Sequence, residues 1–386
     1  MEPPLHAALG REVAAAAARV YAHGACHVTP LLRSRALEAR SGVAPPGALF
    51  LKLESEQATG SFKARGAANR LGALTPDERA RGIVTASTGN HAAAVAHALR
   101  ALPQLRGVPA QIFLPRTVAP AKLARLRAAG APLVLVDAAD CVASEAAAAA
   151  HAAATGAVYV SPYADPVVIG GQGTVGLEVL TQLRTAGVAG GCADDAAGDG
   201  SGNDGALLAT AGADPTAVVP LIIIVPVGGG GLIAGIAAAV KSVAAASCVA
   251  AGARRRRGTV VVVGAQPAAN ACMAASVAAG RILPEGAYPD GPTLSDGTAG
   301  GIEAESVTFD ACAEAELGDD GLRAAVDAAW AACRSGDVEG DGGAGAARLV
   351  DAIALVPEDE IERGMVAVLV AHGKVRGGGD AGGSWD

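Results

Sequence analysis

The chain has 386 residues, of which 51% are hydrophobic and 3% aromatic, with 52 glycines and a formal charge of −8. That length buries a full core without staples, and the acidity excludes a nucleic-acid platform, which needs a basic surface to neutralise phosphate. Seven cysteines, Cys26, Cys141, Cys192, Cys248, Cys272, Cys312 and Cys333, are odd in number and never in CxxC spacing; they give neither a disulfide framework nor a zinc knuckle and fit a reducing, cytoplasmic compartment.

The first segment, MEPPLHAALGREVAAAAARVYA, has an early acid and no basic region before an apolar core, so it does not read as a secretory signal. No apolar run that lacks glycine reaches membrane-spanning length. Next, LFLKLESEQATGSF reads as an apolar strand and a Gly-Ser turn, and ARGAANRL has helical spacing with Ser61 as its predicted cap. Lys63 thus falls in the first turn of a helix, where the amide dipoles already place positive charge. That field and desolvation both favour the neutral amine, so Lys63 is a candidate nucleophile toward a carbonyl. The alternative is a lysine that snorkels to the surface.

From Arg81 to Tyr163 short apolar runs (GIVTAS, AQIFLP, APLVLVD, AVYVSP) alternate with alanine-rich amphipathic ones, a βαβ series that predicts a parallel sheet with helices on its faces. The polar loop Ser87–His91 lies between a buried strand and a helix. Its backbone donors, with the side chains of Ser87, Thr88, Asn90 and His91, suit a carboxylate; the alternative for His91 is to cap its helix. His97, further along, reads as packed or solvated.

Residues 185–220 are rich in glycine, alanine and aspartate without a period, and read as a flexible insertion. A second series follows: LIIIVPV, then Gly228, Gly229, Gly230 and Gly231, then LIAGIAAAVKSVAAA and TVVVVGA. An apolar strand running through four glycines straight into a helix outlines a phosphate cradle, because backbone amides converge there and no side chain blocks approach. The spacing is neither that of a Walker loop nor GxGxxG; the alternative is a plain tight turn. The basic run Arg254–Arg257 reads as a solvated loop before a strand. The stretch Arg334–Arg348 and the tail RGGGDAGGSWD read as mobile.

An amine nucleophile, a phosphate cradle and a carboxylate loop in one chain are together satisfied by pyridoxal phosphate joined to an amino acid. The segments LKLESEQATGSFKARGA, ASTGNHAAAVAHA, SPYADPVVIGGQGTVGLEVL and VPVGGGGLIAGIAAAVK resemble, in order and spacing, the serine/threonine dehydratase family of fold-type II pyridoxal-phosphate enzymes, which also contains serine racemase. The resemblance covers about Thr29–Pro267, and DGTAGGIEAESVTFDAC extends it to about Cys312.

The resemblance implies a tryptophan synthase β-like α/β fold, with two doubly wound parallel-sheet lobes and the cofactor in the cleft between them. Residues 1–76 and 164–386 would form the large lobe, with 313–386 divergent, and 77–163 the small one. It implies that Lys63 forms the Schiff base and later takes the α-proton, that Phe62 flanks the ring, and that Asn90 bonds the ring hydroxyl. Ser87, Thr88, Asn90 and His91 would clamp the substrate carboxylate, and Gly228–Gly231 would hold the phosphate. The implied reaction removes the β-hydroxyl of L-threonine or L-serine and yields a 2-oxo acid and ammonia. A homo-oligomer is implied as well.

Departures from the family pattern shape the expectation. Thr88 stands where the racemase branch has a serine, and Tyr163 where that branch has an asparagine. Gln266 and Cys272 occupy the region of the divalent-cation ligands, so no metal site is expected. The final Ser- or Cys-containing glycine loop that meets the pyridine nitrogen has no counterpart, which predicts an unpartnered nitrogen and an incomplete sheet. The remaining readings are a serine racemase-like activity and a truncated, non-catalytic relative.

Overall fold

Two separate β-sheets organise the chain. In this computed structural model the described residues are 5–40, 48–138, 141–186, 221–250, 260–293, 295, 297–313, 315–317, 350–356 and 366–370. The insertion expected over 185–220 (from residue 187 on), Arg254–Arg257, Arg334–Arg348 and the RGGGDAGGSWD tail lie outside them.

The smaller sheet follows the first βαβ series. Strands β3 (Ile83–Ala86), β4 (Ala110–Pro115), β5 (Leu133–Val136) and β6 (Val158–Tyr159) lie in the order β5-β4-β3-β6, all parallel. Parallel neighbours require crossovers. These are α5 (Asn90–Ala101), α6 (Pro120–Ala128) and α7 (Cys141–Thr155). Helix α3 (Lys63–Gly72) packs on this side: its Ala64, Ala67, Ala68 and Leu71 share a core with Ile83, Val95 and Leu114. The short helix α4 (Pro76–Arg81) then leads into β3. Thr75 and Glu78 form a reciprocal capping box around Pro76, which fixes where that helix begins.

The larger sheet has seven strands. They are β1 (Leu31–Arg33), β2 (Ala48–Lys52), β7 (Leu221–Pro226), β8 (Val260–Pro267), β9 (Glu316–Leu317), β10 (Ala352–Val356) and β11 (Val366–Val370), in the order β1-β2-β11-β7-β8-β10-β9. β7, β8, β10 and β9 are parallel as expected, whereas β1 and β11 each run against their neighbours. Among the described residues β11, from the stretch read as divergent, stands between β2 and β7 and pairs with both. The physical reason is that an apolar extended run, VAVLV, satisfies the ladders on either side in the antiparallel sense.

Around this sheet lie α1 (Leu5–Val20), α2 (Arg35–Arg40), α8 (Pro166–Thr185), α9 (Gly231–Ala250), α10 (Cys272–Ala279) and α11 (Val307–Cys312). Asp165 caps α8 by accepting from Val167 N, with Pro166 at the first helical position. α8 and α9 cross at Gly173 and Gly235: a Cβ on Gly235 would lie 2.4 Å from Ile169 O, and one on Gly173 2.7 Å from Gly235 O. The glycines permit this approach, and Ile169, Val175, Ile233, Ile236 and Val240 seal the core around it.

Candidate active site

Lys63 opens α3 as the sequence predicts, but its cap is Phe62, already helical in φ and ψ, and not Ser61. Ser61 sits one residue too early: its carbonyl accepts from Ala64 N while its buried hydroxyl has no partner. The amine of Lys63 donates to the Pro162 carbonyl at 2.8 Å and lies 5.3 Å from the centroid of the Phe62 ring and 5.9 Å from that of Tyr163. Burial disfavours the charged form and lowers its pKa to about 8, against an opposing pull from Glu145 and Glu303. The amine is thus poised near neutrality and is not a snorkelling surface charge.

Two residues along, Arg65 turns into a buried ionic cluster. Its guanidinium reaches Glu54 at 2.8 Å and Glu178 at 2.5 Å, and Lys52 Nζ reaches Glu178 at 2.5 Å. Lys52 and Arg65 are fully buried, and Thr29, Tyr21 and Gln182 satisfy further positions. Burial alone would raise the Glu178 carboxyl, but the bonds and charge of Arg65, with the bond from Lys52, carry it below the usual range. The cluster fixes the start of α3, and so the place from which Lys63 projects.

The four glycines lie where β7 ends and α9 begins. Gly230 has φ +85°, a conformation that a side chain would strain. A Cβ on Gly229 would meet the Tyr163 ring at 2.5 Å, and one on Gly231 would meet Tyr163 O at 2.8 Å. The loop therefore rests on Tyr163, which also neighbours Lys63. Among the described residues no backbone carbonyl accepts from the amides of Gly228–Gly231. Those donors stand at the positive end of a long helix.

The loop before α5 is partly buried at Ser87, Thr88 and Gly89, and Asn90 is exposed at the first helical position. His91 goes the other way. It is 2% exposed, and its Nε2 meets Thr85 Oγ1 at 3.1 Å, while that hydroxyl donates to Val160 O at 2.6 Å. Thr85 must accept, so Nε2 carries the proton and the buried Nδ1 is an unpartnered acceptor. Burial, helped by the charge of Lys63, lowers the His91 pKa to about 3 and keeps the ring neutral. His97 bonds Ala25 O at 2.8 Å, as a packed residue does.

The sequence reading missed the strip running from β6 to the cap of α8. Its side chains alternate. Tyr159 and Ser161 donate to the Glu303 carboxylate at 3.2 and 2.9 Å, and the Tyr163 hydroxyl accepts from Glu303 N at 2.8 Å. Carbonyls on the opposite face serve Thr85 and Lys63. The period-2 hydroxyls in VYVSPY were the signal available, and one acid in GGIEAES was its partner. Among the described residues no group of three or more His, Cys, Asp or Glu could hold a metal ion.

A lysine with a lowered pKa and an unblocked glycine turn, both against Tyr163, suit an enzyme that uses a phosphorylated carbonyl cofactor. A family profile described as pyridoxal-phosphate dependent enzyme matches residues 23–373, and the chain belongs to that family. Its fold is the fold-type II arrangement.

L-threonine ammonia-lyase of Thermotoga maritima is 44% identical over 157 residues, 41% of this chain and 37% of that protein. Serine racemase of Oryza sativa subsp. indica is 40% identical over 157 residues, 41% of this chain and 44% of that protein. The aligned stretch thus spans less than half the length of these curated relatives. Among solved structures, maize serine racemase superposes with a TM-score of 0.58 at 28% identity, covering 90% of this chain and 77% of that one. A threonine deaminase from T.th. gives 0.58 at 32% identity, covering 90% and 82%.

The residues present fit pyridoxal phosphate: the glycine amides offer unspent donors for a phosphate, and a partly buried amine lies 5.3 and 5.9 Å from the centroids of two aromatic rings.

Proposed function

We propose that the chain carries out β-elimination on L-threonine or L-serine, releasing a 2-oxo acid and ammonia. The carrying observation is the Lys63 amine, parked on Pro162 O with a pKa near 8, with Tyr163 a neighbour both of that amine and of the glycine cradle. The 44% identity to an L-threonine ammonia-lyase supports it over residues that fill 41% of the chain.

Pyridoxal phosphate, when bound, supplies an electron sink conjugated to the substrate α-carbon. The chain does the rest. Amides of Gly228–Gly231 and the α9 dipole bind the phosphate. Phe62 and Tyr163 wall the amine and exclude water from it. Lys63 Nζ accepts and returns a proton near neutral pH, which a lysine of ordinary pKa does poorly. Ser87 and Thr88, the exposed Asn90 and the start of α5 orient the substrate carboxylate. His91, held neutral on Thr85, supports that loop from beneath. The division into a small lobe, 77–163, and a large lobe from the remainder belongs to this reading, as does assembly into a homo-oligomer.

The test is direct. Purified protein with pyridoxal phosphate should show a near-visible absorption band and form 2-oxobutanoate from L-threonine. Lys63→Ala should abolish both. Chiral analysis showing D-serine formed faster than pyruvate from L-serine would reverse the assignment in favour of racemisation.

A further inference from the structure

Glu303 belongs to no segment assigned a role above, yet it touches every second residue of the strip beside Lys63. Ser161 Oγ lies 2.9 and 3.0 Å from its two oxygens, and Tyr159 Oη 3.2 Å from one of them. Ser161 Oγ already accepts from Ala164 N at 2.9 Å and Tyr163 N at 3.3 Å, so its single proton must go to Glu303. The carboxylate is therefore used as an acceptor on both oxygens, while the amide of the same residue donates to Tyr163 Oη at 2.8 Å. Between Ser161 and Tyr163 lies Pro162, whose carbonyl receives Lys63 Nζ at 2.8 Å.

We infer that Glu303 is a positioning residue for Lys63: it clamps Ser161 and Tyr163 so that the Pro162 carbonyl meets the amine, and it keeps a negative charge beside that amine. The inference rests on Lys63 as the reacting amine of the site. Glu303 comes from the segment after β8, whereas the strip continues β6, so the clamp also ties one sheet to the other. The groups facing Lys63 are Glu303, Glu145 of α7 and His91 of α5; those facing Glu303 are Lys63, Tyr159, Ser161 and Asp165. Burial pushes the Glu303 carboxyl up, and the Ser161 and Tyr159 hydroxyls oppose that push.

The two halves of the role act on the amine in opposite directions. The charge raises the Lys63 pKa and the clamp, by keeping the amine out of water, lowers it. Glu303→Gln removes the charge and keeps one acceptor oxygen, which can stand at the Oε1 position that both hydroxyls reach. Ser161→Ala keeps every charge and loosens the clamp.

The experiment is competitive acetylation of Lys63 with acetic anhydride across pH, in protein stripped of cofactor, read on the Lys63 peptide by mass spectrometry. Wild type should give a midpoint near 8. Glu303→Gln should move it acid-ward by about half to one pH unit, and Ser161→Ala alkaline-ward by a similar amount. A purely structural Glu303 would move both alkaline-ward, and that result, or an unmoved midpoint in Glu303→Gln, overturns the inference. Should Glu303→Gln not fold, Ser161→Ala decides alone, and an unmoved midpoint there overturns it too. Labelling needs no substrate, so shifted midpoints without 2-oxo acid production would sink the elimination reading and leave the role of Glu303 standing.

Discussion

Lys63 and Arg65 leave the same turn of α3 in opposite senses: one amine ends on the carbonyl of Pro162, and one guanidinium ends in a fully buried pair of carboxylates, Glu54 and Glu178. Removing the guanidinium leaves those carboxylates without their main counter-charge. Arg65→Ala should therefore cost about 3–5 kcal/mol of stability, the range for breaking a buried ion pair from one side. Denaturant unfolding measures it; a loss below about 1 kcal/mol would mean that water replaces the guanidinium, as at a surface pair.

Lys63 itself is expected to destabilise the cofactor-free protein. Its folded pKa, about 8, lies below the ordinary value of 10.5, so the unfolded chain binds more protons between those pH values and wild-type stability rises across that window. Below about pH 8 the full penalty of the buried charge applies. Lys63→Met without cofactor should melt higher than wild type at pH 7, and the gap should narrow from pH 8 to 10.5. Thermal melts at three pH values test this, and a gap independent of pH would point to packing instead.

Gly229 supports the Tyr163 ring at a distance that admits no side chain, since an added Cβ would lie 2.5 Å from it. Gly229→Ala should weaken binding of pyridoxal phosphate by at least about tenfold, roughly 1.4 kcal/mol, while Gly297→Ala, with nothing within 4 Å, should leave it unchanged. Fluorescence titration of both variants makes the comparison. Equal affinities would remove the glycine loop from the cofactor site.

His91 gives an acid-side signature. Burial depresses its pKa from 6.5 to about 3, so the native state resists a proton that the unfolded chain takes up, and stability is lost as pH falls through that interval. His91→Gln retains a buried polar group and drops the titration. The variant should show a shallower loss of stability between pH 6.5 and 3 than wild type; parallel curves would mean that His91 ionises in place.

Much of this was legible in the sequence, for reasons that differ by residue. Lys63 and Gly228–Gly231 are set by local chemistry: a helix start and an unbroken glycine run announce themselves to the chain around them. The parallel sheet of β3 to β6 follows from alternating apolar runs. Glu303 and Ser161 lie 142 residues apart, and nothing local tells either of the other. The same holds for Lys52 and Glu178, 126 apart. Ser61 misled because cap preference is a one-residue matter, and helix α3 begins from Phe62. The antiparallel seat of β11 escaped because pairing direction is decided by the two neighbours, not by the strand's own residues.

That seat has a consequence for biosynthesis. β2 and β7 touch across the sheet only through β11, which is translated after every other described strand. Until then the nascent chain holds two unsatisfied strand edges facing one another, an invitation to pair with other chains. Closure of the sheet therefore waits on a strand far along the chain from both of its neighbours, a long-range step of the kind that slows folding.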